Sequence, residues 1–246
     1  MVLDAASGTP ALTWAPLMPA LAGHVRVIAY DRAGLGMSDP APLLTAGSAV
    51  ADLIALLTEA GRGPCILVGN SWGGQLAQQV AWTAPELVSG LVLVDPAHEE
   101  FEPLIGRVAE EAFMRLFAIQ RVLGRTERSL RKAAVRSAEA VTDDPRVRDL
   151  LVEAELACYA NEHQIRTAMA ENRMIPRQAS AIRRLRAASR LPEVPVTVLS
   201  AMQGMPRRWR ERWTKLQAQV AAEVETASTG WCATRGTTST AAGRRL

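Results

Sequence analysis

Two stretches of this chain, Pro64-Cys-Ile-Leu-Val-Gly69 and Leu91-Val-Leu-Val94, run apolar from end to end and are no longer than a strand. A strand of that kind has to be covered on both faces, which is the mark of a parallel sheet. Helical spacing surrounds them. Val50, Leu53, Leu56 and Leu57 repeat within residues 46–60, and Gln75 to Ala84 reads as a helix that stops before Pro85. Val25-Arg-Val-Ile-Ala-Tyr-Asp31 is a further strand, rich in β-branched residues and ended by the turn formers Asp-Arg-Ala-Gly. Strand alternating with helix predicts the α/β class: a mostly parallel, doubly wound sheet with right-handed crossovers.

The pattern changes after Pro96. Residues 100–190 carry no convincing strand, many arginines and helical spacing throughout, so they are expected to form an all-helical cap inserted into the sheet domain. The arginines read as a solvated helix surface in preference to an anion site. Strand character returns at Val194-Pro-Val-Thr-Val-Leu-Ser200. A helix over 206–224 follows, with Trp209, Trp213, Leu216 and Val220 on one face. The expected organisation is residues 1–99 and 191–225 for the sheet domain, 100–190 for the cap, and 226–246 for a tail. Residues 226–245 contain no Val, Ile, Leu, Met or Phe, a composition expected to stay disordered.

Charge and cysteine content narrow the partners. Lys and Arg total 28 against 25 Asp and Glu, a net charge of +3, too small a surplus to indicate nucleic acid. Cys65, Cys158 and Cys232 are widely spaced and lack a metal-binding pattern, so neither a disulfide framework nor a metal is expected, and a reducing compartment is. The first residues have no basic and apolar leader pattern, and no apolar run approaches the ~20 residues of a membrane span. The expectation is a cytoplasmic protein without a membrane partner, acting on a small molecule and needing no cofactor.

The chemistry points to Gly69-Asn-Ser-Trp-Gly-Gly74, between a predicted strand and a predicted helix. In that context Gly-x-Ser-x-Gly forms a sharp turn that exposes a serine at the carboxyl end of the sheet. Gly69 and Gly73 give the room the turn needs. Ser71 would present its Oγ, and the backbone N–H of Trp72 would face a developing oxyanion. The competing reading is a glycine-rich turn with an ordinary N-cap serine.

With these residues the sequence resembles the α/β-hydrolase-fold serine hydrolases. Leu3-Asp-Ala-Ala-Ser-Gly8 with Trp14 looks like the loop after the family's third strand. Tyr30-Asp-Arg-Ala-Gly-Leu-Gly-Met-Ser-Asp39 looks like its turn after the fourth, Leu91-Val-Leu-Val-Asp-Pro-Ala-His98 like its sixth strand, and Val194–Ser200 like its seventh. The likeness covers about residues 1–100 and 190–225 and begins at the third strand, so the family's first hairpin is absent. The resemblance implies Ser71 as nucleophile, Trp72 as one oxyanion donor, and Ser7 or Ala6 as the other. It gives Asp31 and Arg32 a structural role in their turn. Members place the acid after the seventh or the sixth strand. Ala201-Met-Gln-Gly-Met205 holds no carboxylate, so Asp95 is the candidate acid; its plainer reading is a turn residue before Pro96.

The base is missing from its expected place near the C-terminus. The three histidines are His24, ahead of the nucleophile, His98, very close to Asp95, and His163, in the cap. The tail suggests a cause. Codons for Gly236-Thr-Thr-Ser-Thr240 can be GGC ACT ACA TCC ACC, which from the third base encode His-Tyr-Ile-His. In the same phase Trp231–Gly236 permits Val-Arg-Asp-Ala-Gly, and the joined segment looks like the family's last strand and histidine loop. Without a base Ser71 is a weak nucleophile, while oxyanion donors and binding alone leave ~10³–10⁴ of catalysis over water. Two functions follow: a serine hydrolase of ester-like or other acyl bonds, impaired as written, or a non-catalytic binding protein that kept the pocket. Phe113, Met114, Phe117, Met169 and Met174 of the cap either line that pocket or pack the cap internally.

Overall fold

The structure is a computed structural model that describes residues 1–40, 44–61, 63–101, 126–159, 162–201, 206–223 and 228–232. Its centre is a sheet of six strands: β1 (Val2–Asp4), β2 (Ile28–Ala29), β3 (Cys65–Asn70), β4 (Val88–Val94), β5 (Val196–Ala201) and β6 (Ser228–Cys232). They lie in the order β2-β1-β3-β4-β5-β6, and every pairing is parallel. The chain moves outward from β1 to β2, returns across β1 to β3, and then proceeds outward to β6. The direction reverses between β1 and β3, and at such a switch point the loops at the strands' carboxyl ends part to leave a crevice.

Apolar runs become two-faced strands by simple alternation. Val2, Leu67, Leu91 and Leu93 pack into one core cluster, while Leu3, Val68, Val92 and Val94 join a second. Neighbouring residues point to opposite faces of a strand, so a run with no polar member covers both. The first face meets α2 (Ala46–Ala60) and α3 (Trp72–Thr83), through Leu53, Leu57, Leu76 and Val80. The second meets Trp14 and, from the short α1 (Met18–Ala22), Met18 and Leu21. Local chemistry sets the ends of α2. Thr45 Oγ1 accepts the Ser48 amide at 2.9 Å and Ser48 Oγ accepts the Thr45 amide at 3.0 Å, a reciprocal cap. Gly61 closes the helix in the left-handed conformation at φ 62°.

Between β4 and β5 the described chain is helical: α4 (Thr126–Val141), α5 (Pro145–Ala157) and the long α6 (Glu162–Ala188). Helix α7 (Arg207–Ala222) joins β5 to β6 and buries Trp213, Leu216 and Val220, with Trp209 half-buried. The C-terminal end of α6 is fastened to the sheet domain by Arg186. Its guanidinium donates to both oxygens of Glu99 at 2.6 and 3.0 Å and to Gln78 at 3.2 Å, pairs with Glu223, and lies 4.8 Å over the Trp82 ring.

Two expectations need amendment. The β-branched run Val25–Asp31 yields only Ile28–Ala29 as strand, an outer strand paired on one side alone. The tail was expected to hold no ordered element, yet Ser228–Cys232 pairs with Thr197–Ala201 as an outer strand. An outer strand is held by backbone hydrogen bonds on one side and needs no apolar run, which is why composition hid it. Phe113, Met114 and Phe117 lie outside the described residues. Met169 packs against Ile165 within the cap, and Met174 belongs to the main core.

Candidate active site

Ser71 stands between the last residue of β3 and the first of α3, with φ 50° and ψ −112°. A positive φ costs a side-chain-bearing residue of order 1–3 kcal/mol and persists only where its surroundings enforce it. Here they do. The Ser71 amide donates to Val94 O at 3.0 Å, and Ser71 O accepts the amides of Gln75 (3.2 Å) and Ala97 (2.9 Å). The hydroxyl does not cap α3, so the N-cap reading of this serine does not hold.

Close approach of backbone explains the glycines. A Cβ on Gly69 would fall inside the backbone of Gly73 and Gly74. One on Gly73 would lie 2.6 Å from Asp4 O and 2.7 Å from Ala5 O, and one on Gly74 would lie 2.8 Å from Pro96 Cβ. The turn is therefore wedged between the loop after β1 and the loop after β4. Gly74 was not singled out from the sequence, although its place beside Gly73 was the available signal. Trp72, first residue of α3, is fully buried. Its amide is one of the helix's unpaired N-terminal donors.

Asp95 follows β4 directly and takes φ 48°. Asn70 and Val94 are register partners, so Ser71 and Asp95 each stand one residue past the paired ends of neighbouring strands. Asp95 Oδ1 accepts the Trp213 indole N–H at 2.8 Å. Phe101 packs on the same indole with ring centroids 4.6 Å apart. The periodicity of α7 placed Trp213 on the buried face, but nothing in the sequence tied it to Asp95.

On the other side of Ser71 the loop 5–8 is held by charge. Arg32 reaches it from the turn after β2, and Glu171 reaches it from α6. Arg32 pairs with Asp4, and its Nε donates to Glu171 Oε1 at 2.7 Å. Asp4 also accepts the Tyr30 hydroxyl at 2.9 Å. Burial alone would lower the Arg32 pKa; Asp4 and Glu171 more than offset this and keep the guanidinium charged. Burial pushes the Asp4 carboxyl above the usual carboxylate value, against the pull of Arg32 and Tyr30. Asp31 braces its own turn, its carboxylate accepting the amides of Ala11 (2.6 Å) and Met37 (3.0 Å).

Against this geometry the similarities to known proteins are informative. A profile of the alpha/beta hydrolase family matches residues 2–234. The chain belongs to the alpha/beta hydrolase family. RutD of Variovorax paradoxus (strain S110), whose name assigns it carbamate hydrolysis, is 41% identical over 101 residues, 39% of this chain and 37% of its own length. Lipase LipV of Mycobacterium tuberculosis (strain ATCC 25618 / H37Rv) is 40% identical over 74 residues, 30% of this chain and 28% of its own length. The matched part of the chain thus spans about a third of these relatives. The crystal structure of Cfl2 from Burkholderia cenocepacia superposes with a TM-score of 0.69 at 25% identity, over 94% of this chain and 79% of that one.

The three histidines have different surroundings. His24 is exposed after α1, and His163 is half-buried in the first turn of α6. His98 is buried, and its Nδ1 accepts the Glu100 amide at 3.2 Å and lies 3.6 Å from Glu99 Oε2. Burial lowers its pKa below 6.5, opposed by Glu99. Among the described residues no histidine is hydrogen-bonded to Ser71. Among them, too, no group of three His, Cys, Asp or Glu side chains converges as a metal site, and no helix is long and apolar enough to cross a membrane.

Proposed function

We propose that this member of the family is a serine hydrolase by descent, acting on an ester-like or other acyl bond of a small molecule. The observation that carries the reading is Ser71 itself, a non-glycine residue held at positive φ with a hydroxyl that does no capping. Its Oγ attacks the acyl carbon, and the carbonyl oxygen becomes an oxyanion facing the amides of Trp72 and of Ala6 or Ser7. The leaving group departs with the proton lost by Ser71. Water then attacks the acyl-enzyme and releases the acid, restoring the hydroxyl. In this reading Asp95 would be the carboxylate that orients an imidazole. The cap closes over the substrate and sets its preference. The names of RutD and LipV, for hydrolysis of carbamate and lipid, support an acyl substrate. The reaction needs no cofactor, nucleic acid or membrane partner, and the free thiols of Cys65 and Cys158 suit the cytoplasm.

As written the chain is read as impaired, because no histidine is hydrogen-bonded to Ser71 among the described residues and the tail sequence has none. Reading the tail's DNA in the shifted phase would supply one; codons incompatible with His-Tyr-Ile-His would remove that explanation. A second reading, a binding protein without catalysis, is favoured by the indole that already occupies one oxygen of Asp95. A fluorophosphonate probe separates the two. Covalent labelling that disappears in Ser71→Ala supports the enzyme. No labelling of a folded chain supports the binder.

A further inference from the structure

We propose that Arg32, paired with Glu171 of α6, is a positioning residue that fixes the orientation of the Ala6 and Ser7 amides in the loop beside the Ser71 turn. The inference rests on the reading of Ser71 as nucleophile and adds a device to it. Arg32 is buried, with 5% exposure, and all five of its N–H donors are engaged. Nε goes to Glu171 Oε1 at 2.7 Å. Nη1 goes to Asp4 and to Ala5 O, the latter at 2.8 Å. Nη2 goes to Ala6 O at 2.7 Å and Glu171 Oε2 at 3.0 Å. One planar group therefore holds two successive loop carbonyls.

That hold fixes two amides as well. The carbonyl of Ala5 shares its peptide plane with the N–H of Ala6, and the carbonyl of Ala6 shares its plane with the N–H of Ser7. No peptide here is cis, so each N–H points opposite to the carbonyl in its unit. With both carbonyls drawn to the guanidinium, both amides are turned away from it. The loop meanwhile rests on Gly73, in the first turn of the helix that begins at Trp72. Glu171 then closes the far end of the loop. Its Oε2 accepts the Gly8 amide at 2.7 Å and the Ser7 hydroxyl at 3.3 Å, and Ser7 Oγ also lies 2.6 Å from Asn172 Oδ1. Gly8, at φ 70°, leaves no room for a side chain, since a Cβ would sit 2.6 Å from Ala168 Cβ on the same helix. The far end of the loop is therefore held by residues of α6, so the placement of that helix bears on the geometry of the loop.

The test uses the full chain with Arg32→Lys and Glu171→Gln, and Ile182→Val as a control for a buried packing defect in α6. Lysine keeps the charge but cannot hold two carbonyls and two carboxylates at once. Two readouts are taken: the maximal rate and half-saturating concentration of fluorophosphonate labelling, and amide hydrogen exchange over residues 5–9 and 72–80. Arg32→Lys is expected to lower the maximal labelling rate at least about tenfold with half-saturation unchanged, since a donor removed outright costs ~10²–10³. Exchange over 5–9 rises and that over 72–80 does not, and Glu171→Gln follows with a smaller effect. Ile182→Val moves neither. Labelling in Arg32→Lys equal to that of Ile182→Val overturns the proposal, as does unchanged exchange over 5–9. If the unmodified chain does not label, the Ser71 reading fails by itself. Exchange over 5–9 then still decides whether Arg32 and Glu171 hold the loop. Should Arg32→Lys not fold, Glu171→Gln carries both readouts.

Discussion

The turns on either side of the switch point are held in place by opposite means. The Ser71 turn is held through backbone: Gly69, Gly73 and Gly74 permit close contact, and the main-chain hydrogen bonds of Ser71 run to β4, the next loop and α3. The loop after β1 has one local turn, in which Ala6 O accepts the Thr9 amide (3.2 Å) and hydroxyl (2.8 Å), and its other contacts come from further away. It is shaped by Arg32, more than twenty residues on, and by Glu171, on a different layer of the molecule. One side of the candidate site thus rests mostly on neighbouring residues, and the other on side chains from the turn after β2 and from α6.

The largest expected effect breaks the remote half alone. Glu171→Ala strips a buried cation of one carboxylate and should cost about 3 kcal/mol, the lower end for a broken buried pair. Urea unfolding measures it. Hydrogen exchange over 72–80 should be unaltered, and a matching loss of protection there would show that the two halves are not separate. Next, Gly73→Ala forces a Cβ against the Asp4 and Ala5 carbonyls, joining the two halves by a clash. Overpacking of this kind should cost about 2 kcal/mol in the same assay; a cost near zero would refute the close contact.

A smaller change has the opposite sign. Ser71→Gly removes the penalty of positive φ and should stabilise the chain by about 1 kcal/mol while abolishing probe labelling. An unaltered urea midpoint would mean that the turn stores no strain. The smallest effect is a pH dependence on the elbow side, from His98. Its folded pKa lies below its unfolded value of 6.5, so above 6.5 both states are neutral and stability is full. As pH falls below 6.5 the unfolded chain takes the proton first, and stability declines toward the depressed folded value. His98→Gln should flatten the urea midpoint between about pH 8 and pH 5.5; a slope that survives the substitution would place its origin elsewhere.

The same contrast explains what was legible in the sequence. The apolar runs of β3 and β4, the helix Ala46–Ala60 and the Ser71 turn are local patterns, and all could be read directly. The hold on Asp95 by Trp213, and on the β1 loop by Arg32 and Glu171, joins residues over a hundred positions apart in two of the three cases. An acidic residue on a helix gives no sign of which arginine it will meet. Strand β6 escaped notice for another reason, since an outer strand carries little apolar signal. The role of Gly74 is set by its contact with Pro96 across the turn, which the motif Gly-x-Ser-x-Gly does not include.

Helix α6 is a single rod with a clamp toward each end. Glu171 and Arg186 lie fifteen positions apart, about 22 Å at helical rise. The Glu171 pair is shielded from water and the Arg186 pairs are partly buried, so tilting the helix at either place would separate charges that are now matched. Moving this helix off the sheet domain would therefore break the Glu171 contacts with Arg32 and Gly8 together with those of Arg186 to Glu99 and Glu223.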